Sequence, residues 1–405
     1  MRNNQDGVAP VLKNLQSLGY LGAGVGLLGL VIAFFLDRRA FFSSFHFGFT
    51  FWLMITLGCT GLTYLHHAIR ASWSLSILRV LEAANKTLPL MAGLFVVVAL
   101  GMWTEQIFPW TNQNAVAASE LLQRKAWYLN KWGWTIRAIV FWAFWILTTQ
   151  YLNRSSARQD KTRDNDLAQA RTNRAAPWGV LFVVSITFAY TDWLMSLDPA
   201  WYSTIYGVWW FTSGNLSAVA LGTVWVLANR FRRPYNEVIT PKLTKDLGNM
   251  MLGFTMFWAY VSLSQFLIIW SGNLPEEIPF YINRFTGPLV YVGAFLIIAS
   301  FFTPFGLLLS GRTKREPKLL LNVAIFILVI RVVDVFWQVT PFFKVGLQAV
   351  NLPAYALDAG AFFGIGGLWL ALFTGDLLKS ARANVLIPLH DTRLIESAAE
   401  AHSHA

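Results

Sequence analysis

Two carboxylates, Asp192 and Asp198, stand six residues apart in the stretch Phe188-Ala-Tyr-Thr-Asp-Trp-Leu-Met-Ser-Leu-Asp-Pro-Ala-Trp-Tyr-Ser-Thr-Ile-Tyr-Gly207, with no cation between them. The stretch joins two long apolar runs and is dense in aromatic rings, including Tyr190, Trp193, Trp201, Tyr202 and Tyr206. Rings that are apolar at one end and wet at the other collect at a lipid–water boundary. An ionisable group close to hydrocarbon is costly, so it faces a partner or a polar cavity. Such acids could accept and pass on protons. Asp198 has a plainer reading as well, because Asp followed by Pro suits the cap and first residue of a new helix. Capping does not account for Asp192, which ends the preceding helix, where an acid opposes the helix dipole.

Other polar groups recur at helical spacing. Thr56, Thr60, Thr63 and His67 lie four, three and four residues apart and share one face of a helix. The threonines could bond back to their own helix or join neighbouring helices. With His67 they could instead line a proton entry. Arg331, Asp334 and Gln338 share a face of a later apolar run, where an i, i+3 charge pair can neutralise itself or relay a proton. Thr255, Ser262 and Gln265 form a third polar face. Glu105 is expected on the same side of the membrane as Asp192, and Arg137 enters its run from that side. A salt bridge from Arg137 to Asp192 or to Glu105 follows. Asp358 opens the last run, where an acid also suits the helix dipole.

Several chemistries are excluded. A lone cysteine, Cys59, cannot hold an iron–sulfur cluster, and there is no Cys-x-x-Cys-His for covalent haem. Bis-histidine haem needs ligands from two helices, yet His46, His66 and His67 share one apolar run, with His46 about 30 Å from the others by helix rise. Neither a phosphate-binding Walker loop nor a zinc constellation is present, so no metal or other cofactor is expected on this chain. Basic charge here does not indicate nucleic acid, because the cations cluster in loops between apolar runs.

The elements that must position these groups are membrane helices. Of 405 residues, 55% are hydrophobic and only 13% charged, against about 25% charged in soluble domains. A spanning helix needs roughly 20 apolar residues. Ten runs qualify, near 18–36, 47–67, 88–108, 133–151, 177–196, 201–229, 247–271, 286–310, 319–340 and 355–378. They are too long and uniformly apolar for a membrane barrel. Of the 32 Lys and Arg, 23 fall in loops on the side of the N-terminus and 7 on the other, with Arg137 and Arg331 inside runs. Positive loops face the cytoplasm, so both termini are expected there and the Asp192–Tyr206 turn on the opposite face. The expected organisation is a cytoplasmic segment 1–17, four helices over 18–151, a charged cytoplasmic loop 152–176, six helices over 177–378 and a cytoplasmic tail 379–405. That loop reads as a solvated linker or a short surface helix. The N-terminus shows no cleavable secretory pattern, so the first helix is expected to remain. No internal repeat is convincing; the echo of Phe141-Trp-Ala-Phe in Phe257-Trp-Ala-Tyr is too short to establish one.

Asp192-Trp-Leu-Met-Ser-Leu-Asp-Pro-Ala-Trp-Tyr-Ser-Thr-Ile-Tyr-Gly207 and Phe257-Trp-Ala-Tyr-Val-Ser-Leu-Ser-Gln-Phe-Leu-Ile-Ile-Trp-Ser-Gly-Asn-Leu-Pro-Glu-Glu277 resemble the signatures of the ActF-type membrane subunit of alternative complex III. This family belongs to the NrfD-like, polysulfide-reductase-type group of integral membrane proteins. The resemblance extends from the first helix to the tenth. It implies an all-α fold of two four-helix bundles, helices two to five and six to nine, with helices one and ten outside them. It also implies a bacterial inner-membrane location and a complex that oxidises quinol and passes electrons to cytochrome c or another acceptor. The implied partners are a sister NrfD-like subunit, a periplasmic iron–sulfur subunit and c-type cytochrome subunits, with a terminal oxidase as a further candidate. Clusters and haems would sit in those partners. In this family the better-supported quinol site is in the sister subunit, beside the iron–sulfur chain. The subunit type that this chain resembles is associated with quinone binding and with proton movement, and the acids, histidine and polar stripes of this chain fit the second role better. By resemblance, Asp192, Asp198, Tyr202, Tyr206, Tyr260, Gln265, Glu276 and Glu277 are candidate site or interface residues. From the residues alone, His67, Arg137, Glu105, Arg331 and Asp334 join them. A scaffold subunit without a conduction role and a secondary transporter remain as alternatives; inverted repeats and helices broken near mid-membrane would favour the transporter.

Overall fold

The computed structural model describes residues 7–343 and 352–403. The expected end segments are therefore seen from residue 7 and up to residue 403. The first half of the chain comprises α1 (Ala9–Leu36), α2 (Arg38–Ile69), α3 (Leu78–Asn85), α4 (Leu88–Trp103), α5 (Gln113–Ala118), α6 (Glu120–Lys125), α7 (Lys131–Thr162) and α8 (Asn165–Trp193). The second comprises α9 (Tyr206–Ala228), α10 (Pro241–Gly272), α11 (Pro279–Phe285), α12 (Leu289–Ile297), α13 (Thr303–Leu309), α14 (Gly311–Arg315), α15 (Pro317–Val339), α16 (Leu352–Arg382) and α17 (Arg393–Ser403). Among the described residues the only non-helical pairing is a single bridge between Gly7 and Arg233. Side-chain caps start several of the long helices. Asp37 accepts from the amides of Arg39 and Ala40, Asn130 from Gly133 and Thr240 from Leu243.

Nine helices among the described residues are long and apolar enough to cross a membrane. The chain is an all-α, multi-pass membrane protein. The remaining long helix, α7, contains the 133–151 run but is diluted by Lys131, Arg137 and a polar second half. Outward-facing side chains on the spanning helices are apolar. Val25, Phe35, Ile139, Val180 and Leu263 are all exposed, as a lipid-facing surface requires.

Packing follows two rings. In the first, α2, α4, α7 and α8 contact one another in turn; in the second, α9, α10, α12–α13 and α15 do so. α2 and α8 pack on α9 and join the rings, while α1 and α16 lie together outside, with α16 against α2. Lipid supplies no hydrophobic drive between helices, so close backbone approach at small residues must do more of the work. A Cβ on Gly58 would lie 1.9 Å from the Gly214 carbonyl oxygen, where α2 crosses α9. One on Gly26 would lie 2.4 Å from the backbone of Gly364, where α1 meets α16.

The segment 152–176 is more structured than a charged linker. Helix α7 runs through it to Thr162 and α8 begins at Asn165. Gln159, Asp160 and Arg171 are buried there: Arg171 donates to Gln159, and the C-terminal tail folds onto Asp160. The amides of Leu389 and His390 donate to the Asp160 carboxylate at 2.9 and 3.2 Å.

Candidate functional site

The centre of the first ring is filled with aromatic side chains. Trp193 packs on Phe95, Trp142 and Trp145, with ring centroids 4.5, 5.8 and 5.8 Å apart. Asp192 caps this stack, fully buried, and Arg137 closes on it with two parallel bonds, Nε to Oδ2 at 2.7 Å and Nη2 to Oδ1 at 3.0 Å. The Tyr128 ring lies 3.9 Å from the guanidinium carbon, and Trp134 Nε1 donates to the Asp192 carbonyl at 2.9 Å. An acid in the last turn of α8 opposes the helix dipole, and the paired guanidinium offsets that cost. Of the two pairings open to Arg137, the structure makes the one to Asp192. Glu105 instead takes Lys131 at 2.8 Å. Asp192 is thus a fully buried carboxylate that faces a partner rather than a polar cavity.

Asp198 caps no helix. The next helix starts only at Tyr206, and Asp198 accepts from the Ala200 amide at 3.2 Å within a turn. Thr56, Thr60 and Thr63 of α2 bond back to the carbonyls of Trp52, Thr56 and Cys59. They are also tied sideways. Trp369 Nε1 donates to Thr56 Oγ1 at 2.8 Å, and Asn85 Nδ2 donates to Thr63 Oγ1 at 3.0 Å. Asn153 Nδ2 in turn donates to Asn85 Oδ1 at 2.7 Å. Their face is thus packed against protein. His67, one turn further on, is buried, and its Nε2 has no hydrogen-bond partner among the described residues. Asp358 accepts from Ser44 Oγ at 2.5 Å.

The second ring holds an open space. A cavity of about 550 Å³ lies between α10, α12–α13 and α15. Its walls are largely aromatic, from Trp209, Trp258, Phe266, Tyr281, Phe301 and Trp337. Exposed Tyr260, Leu263, Ile297 and Phe302 form its rim, so it opens sideways on the apolar surface. The polar side chains of Ser262, Gln265, Asp334 and Gln338 reach its wall, and Ser262 Oγ accepts from Trp209 Nε1 at 2.9 Å. The Oε1 atoms of both glutamines are buried without a hydrogen-bond partner among the described residues. Asp334 is 2.6 Å from Arg331 Nη1, and that guanidinium sits over the Trp258 ring at 4.5 Å. A mainly apolar space with a few convergent polar groups is the usual form of a small-molecule site. Between α12 and α13 the backbone widens into a π-turn, Ile298–Phe302, which sets Phe301 and Phe302 into the wall. Such turns recur at functional sites.

Arg284, at the end of α11, braces this ring. It is buried, donates to the carbonyls of Phe280 and Gln338 at 2.7 and 2.6 Å, and stacks 3.5 Å from the Phe280 ring centroid. Burial pulls its pKa down to about 10. Phe280 lies flat on Trp201 at 4.0 Å, and Tyr206 meets Trp201 edge-on at 4.9 Å. Tyr206 is therefore a packing residue behind the cavity. Tyr202 is half exposed beneath the Lys125 ammonium. Glu276 is exposed and Glu277 is buried.

Of the sequence candidates, Tyr260, Gln265 and Asp334 meet at the cavity, with Arg331 behind them. Asp192 and Arg137, Glu105, Asp198 and the α2 stripe lie elsewhere. The polar faces of α10 and α15 were visible as spacing. The π-turn and Arg284 were not, since neither leaves a periodic signal. Fold and site together define a multi-pass membrane protein with one aromatic-filled helix ring and one ring hollowed by a laterally open cavity. Compared with known families and curated proteins, the chain matches no family model and no curated protein.

Proposed function

We propose that this chain is an integral subunit of a bacterial inner-membrane complex that oxidises quinol, of the alternative complex III type, and that it receives the quinol ring in the cavity of the second ring. The observation that carries this reading is a 550 Å³ aromatic cavity that opens sideways on the apolar surface and contains two buried, unpartnered glutamine oxygens and one carboxylate. A quinol arrives through lipid, is flat and apolar, and carries hydroxyl groups that need acceptors. Gln265 and Gln338 offer those acceptors, aromatic walls cover the ring faces, and Asp334 stands where a proton would leave. The long Trp-rich motifs around Asp192 and Phe257 resemble this family, and Gln265 lies within the second motif. In this reading the chain spans the membrane ten times, counting α7, with both termini in the cytoplasm. Electrons leave through clusters and haems of partner subunits.

Replacing Gln265 with Leu removes one orphaned acceptor without stranding a charge. A neutral hydrogen bond contributes about 0.5–1.5 kcal/mol, so quinol kcat/KM of the assembled complex should fall roughly 2- to 13-fold, with assembly intact. Unchanged quinol kinetics in both Gln265→Leu and Gln338→Leu would count against the site. A second reading, a scaffold role, is favoured for the first ring by its packed tryptophans and the closed Arg137–Asp192 pair. Asp192→Asn with normal turnover and proton translocation but a weakened complex would assign that ring to structure.

A further inference from the structure

A second, polar cavity of about 270 Å³ lies at the opposite functional extreme from the aromatic one, among the charged ends of α2, α7 and α8 and the C-terminal tail. Its floor is made by His66, His67 and Arg171, all buried. Its mouth carries the exposed Arg70 and Arg393, with His390 and Asp391 beside them. Three arginines and one carboxylate line it, a net of +2 from these four groups. Asp391 is already engaged by Arg393 at 2.6 Å. Behind the wall, Arg79 faces two carboxylates, Glu82 and Asp160, which leaves one negative charge there and a local balance of +1.

Two buried nitrogens, one of them necessarily a donor, lack a partner among the described residues. Arg171 bonds through its Nη atoms to Ser155 and Gln159, but its Nε has no hydrogen-bond partner among the described residues. His67 Nε2 is likewise unpartnered. A buried cation with no carboxylate in hydrogen-bond contact is expensive, and a bound anion would offset that cost. The cavity also meets the first turn of α8 at Asn165 and Ala168, where the helix dipole favours negative charge. A water takes up about 30 Å³ in the liquid, so the space admits a group several times larger.

We propose that this cavity binds a phosphate group, held by Arg171 and His67 at its floor and by Arg70 at its mouth. The phosphate could come from a free anion or from the headgroup of an anionic lipid, since basic recesses between membrane helices accept both. The test uses the full chain, with any subunits that copurify, in a neutral detergent. Binding is titrated with inorganic phosphate alone and, separately, with dihexanoyl phosphatidylglycerol. Saturable binding of either probe, weakened at least tenfold by Arg171→Gln or by Arg70→Gln, supports the site, and the probe that saturates identifies the source. The exposed Arg70→Gln variant keeps the test open should Arg171→Gln fold poorly. No saturable binding of either probe, or binding unchanged in both variants, overturns the proposal.

Discussion

Substitution of Arg137 by Gln should destabilise the protein far more than the loss of one surface ion pair. Exposed pairs contribute about 0–1 kcal/mol. Here the Asp192 side chain is fully buried and that of Arg137 only 23% exposed, and the pair is bidentate. Removing the guanidinium strands a carboxylate among Trp134, Trp193 and Tyr128, for which about 3–5 kcal/mol is expected. Asp192→Asn should cost less, about 1.5–3 kcal/mol, because it trades a charge-assisted bond for a neutral one and leaves Arg137 access to the Tyr128 carbonyl and ring. In the double variant the stranded charge is gone, so its total loss should fall short of the sum of the two by about 1.5–3 kcal/mol. Reversible unfolding in mixed micelles, followed by tryptophan fluorescence, would measure all four proteins. Strictly additive losses, or an Arg137→Gln variant as stable as the parent, would refute the argument that a dry, closed pair holds the end of the first ring.

Further consequences follow from other contacts. Gly58→Ala places a methyl against the Gly214 carbonyl, so α2 and α9 must separate; we expect a loss of at least about 1–3 kcal/mol and poor yield, read by thermal unfolding, whereas Gly24→Ala, which meets nothing, should be neutral. Burial raises the pKa of the Asp160 carboxyl, but the bond from His390 and the charge of Arg79 outweigh this and hold it low. A depressed carboxylate stabilises above its unfolded pKa, near 3.8, and that contribution is lost as pH falls through the folded value. The tail should therefore stay closed at neutral pH and become sensitive to an acid-active protease only at strongly acidic pH, while Asp160→Asn should open it at pH 7. Phe302→Trp, which adds bulk at the cavity rim, should raise the quinol KM of the complex with little effect on its assembly.

The helices were legible because their signal is large. Runs such as Leu289–Leu309, with mean hydropathy 2.2, leave no other fold in lipid. α7 was legible as an apolar run, but its Trp-rich first half scores as less apolar than it packs. The polar faces of α10 and α15 also showed in spacing, because helical period alone places Gln265, Asp334 and Gln338. What spacing could not show was which face meets a space and which meets protein. The threonines of α2 and the glutamines of α10 and α15 look alike in sequence. Close glycine crossings and tryptophans fill the surroundings of the first set, while the second set borders the cavity lined in part by the π-turn. The 152–176 segment looked solvated because its charges are many, yet Asp160 is covered by Leu389 and His390 of the tail, over two hundred residues away.

The quinol site can be tested most directly by photolabelling the assembled complex with an azido-quinone and mapping the adduct by mass spectrometry. The account predicts label on rim or wall residues of the second-ring cavity, such as Tyr260, Leu263 or Phe302, removed by excess unlabelled quinone. Label confined to other subunits, or to the α2 and α8 surfaces of this chain, would contradict it.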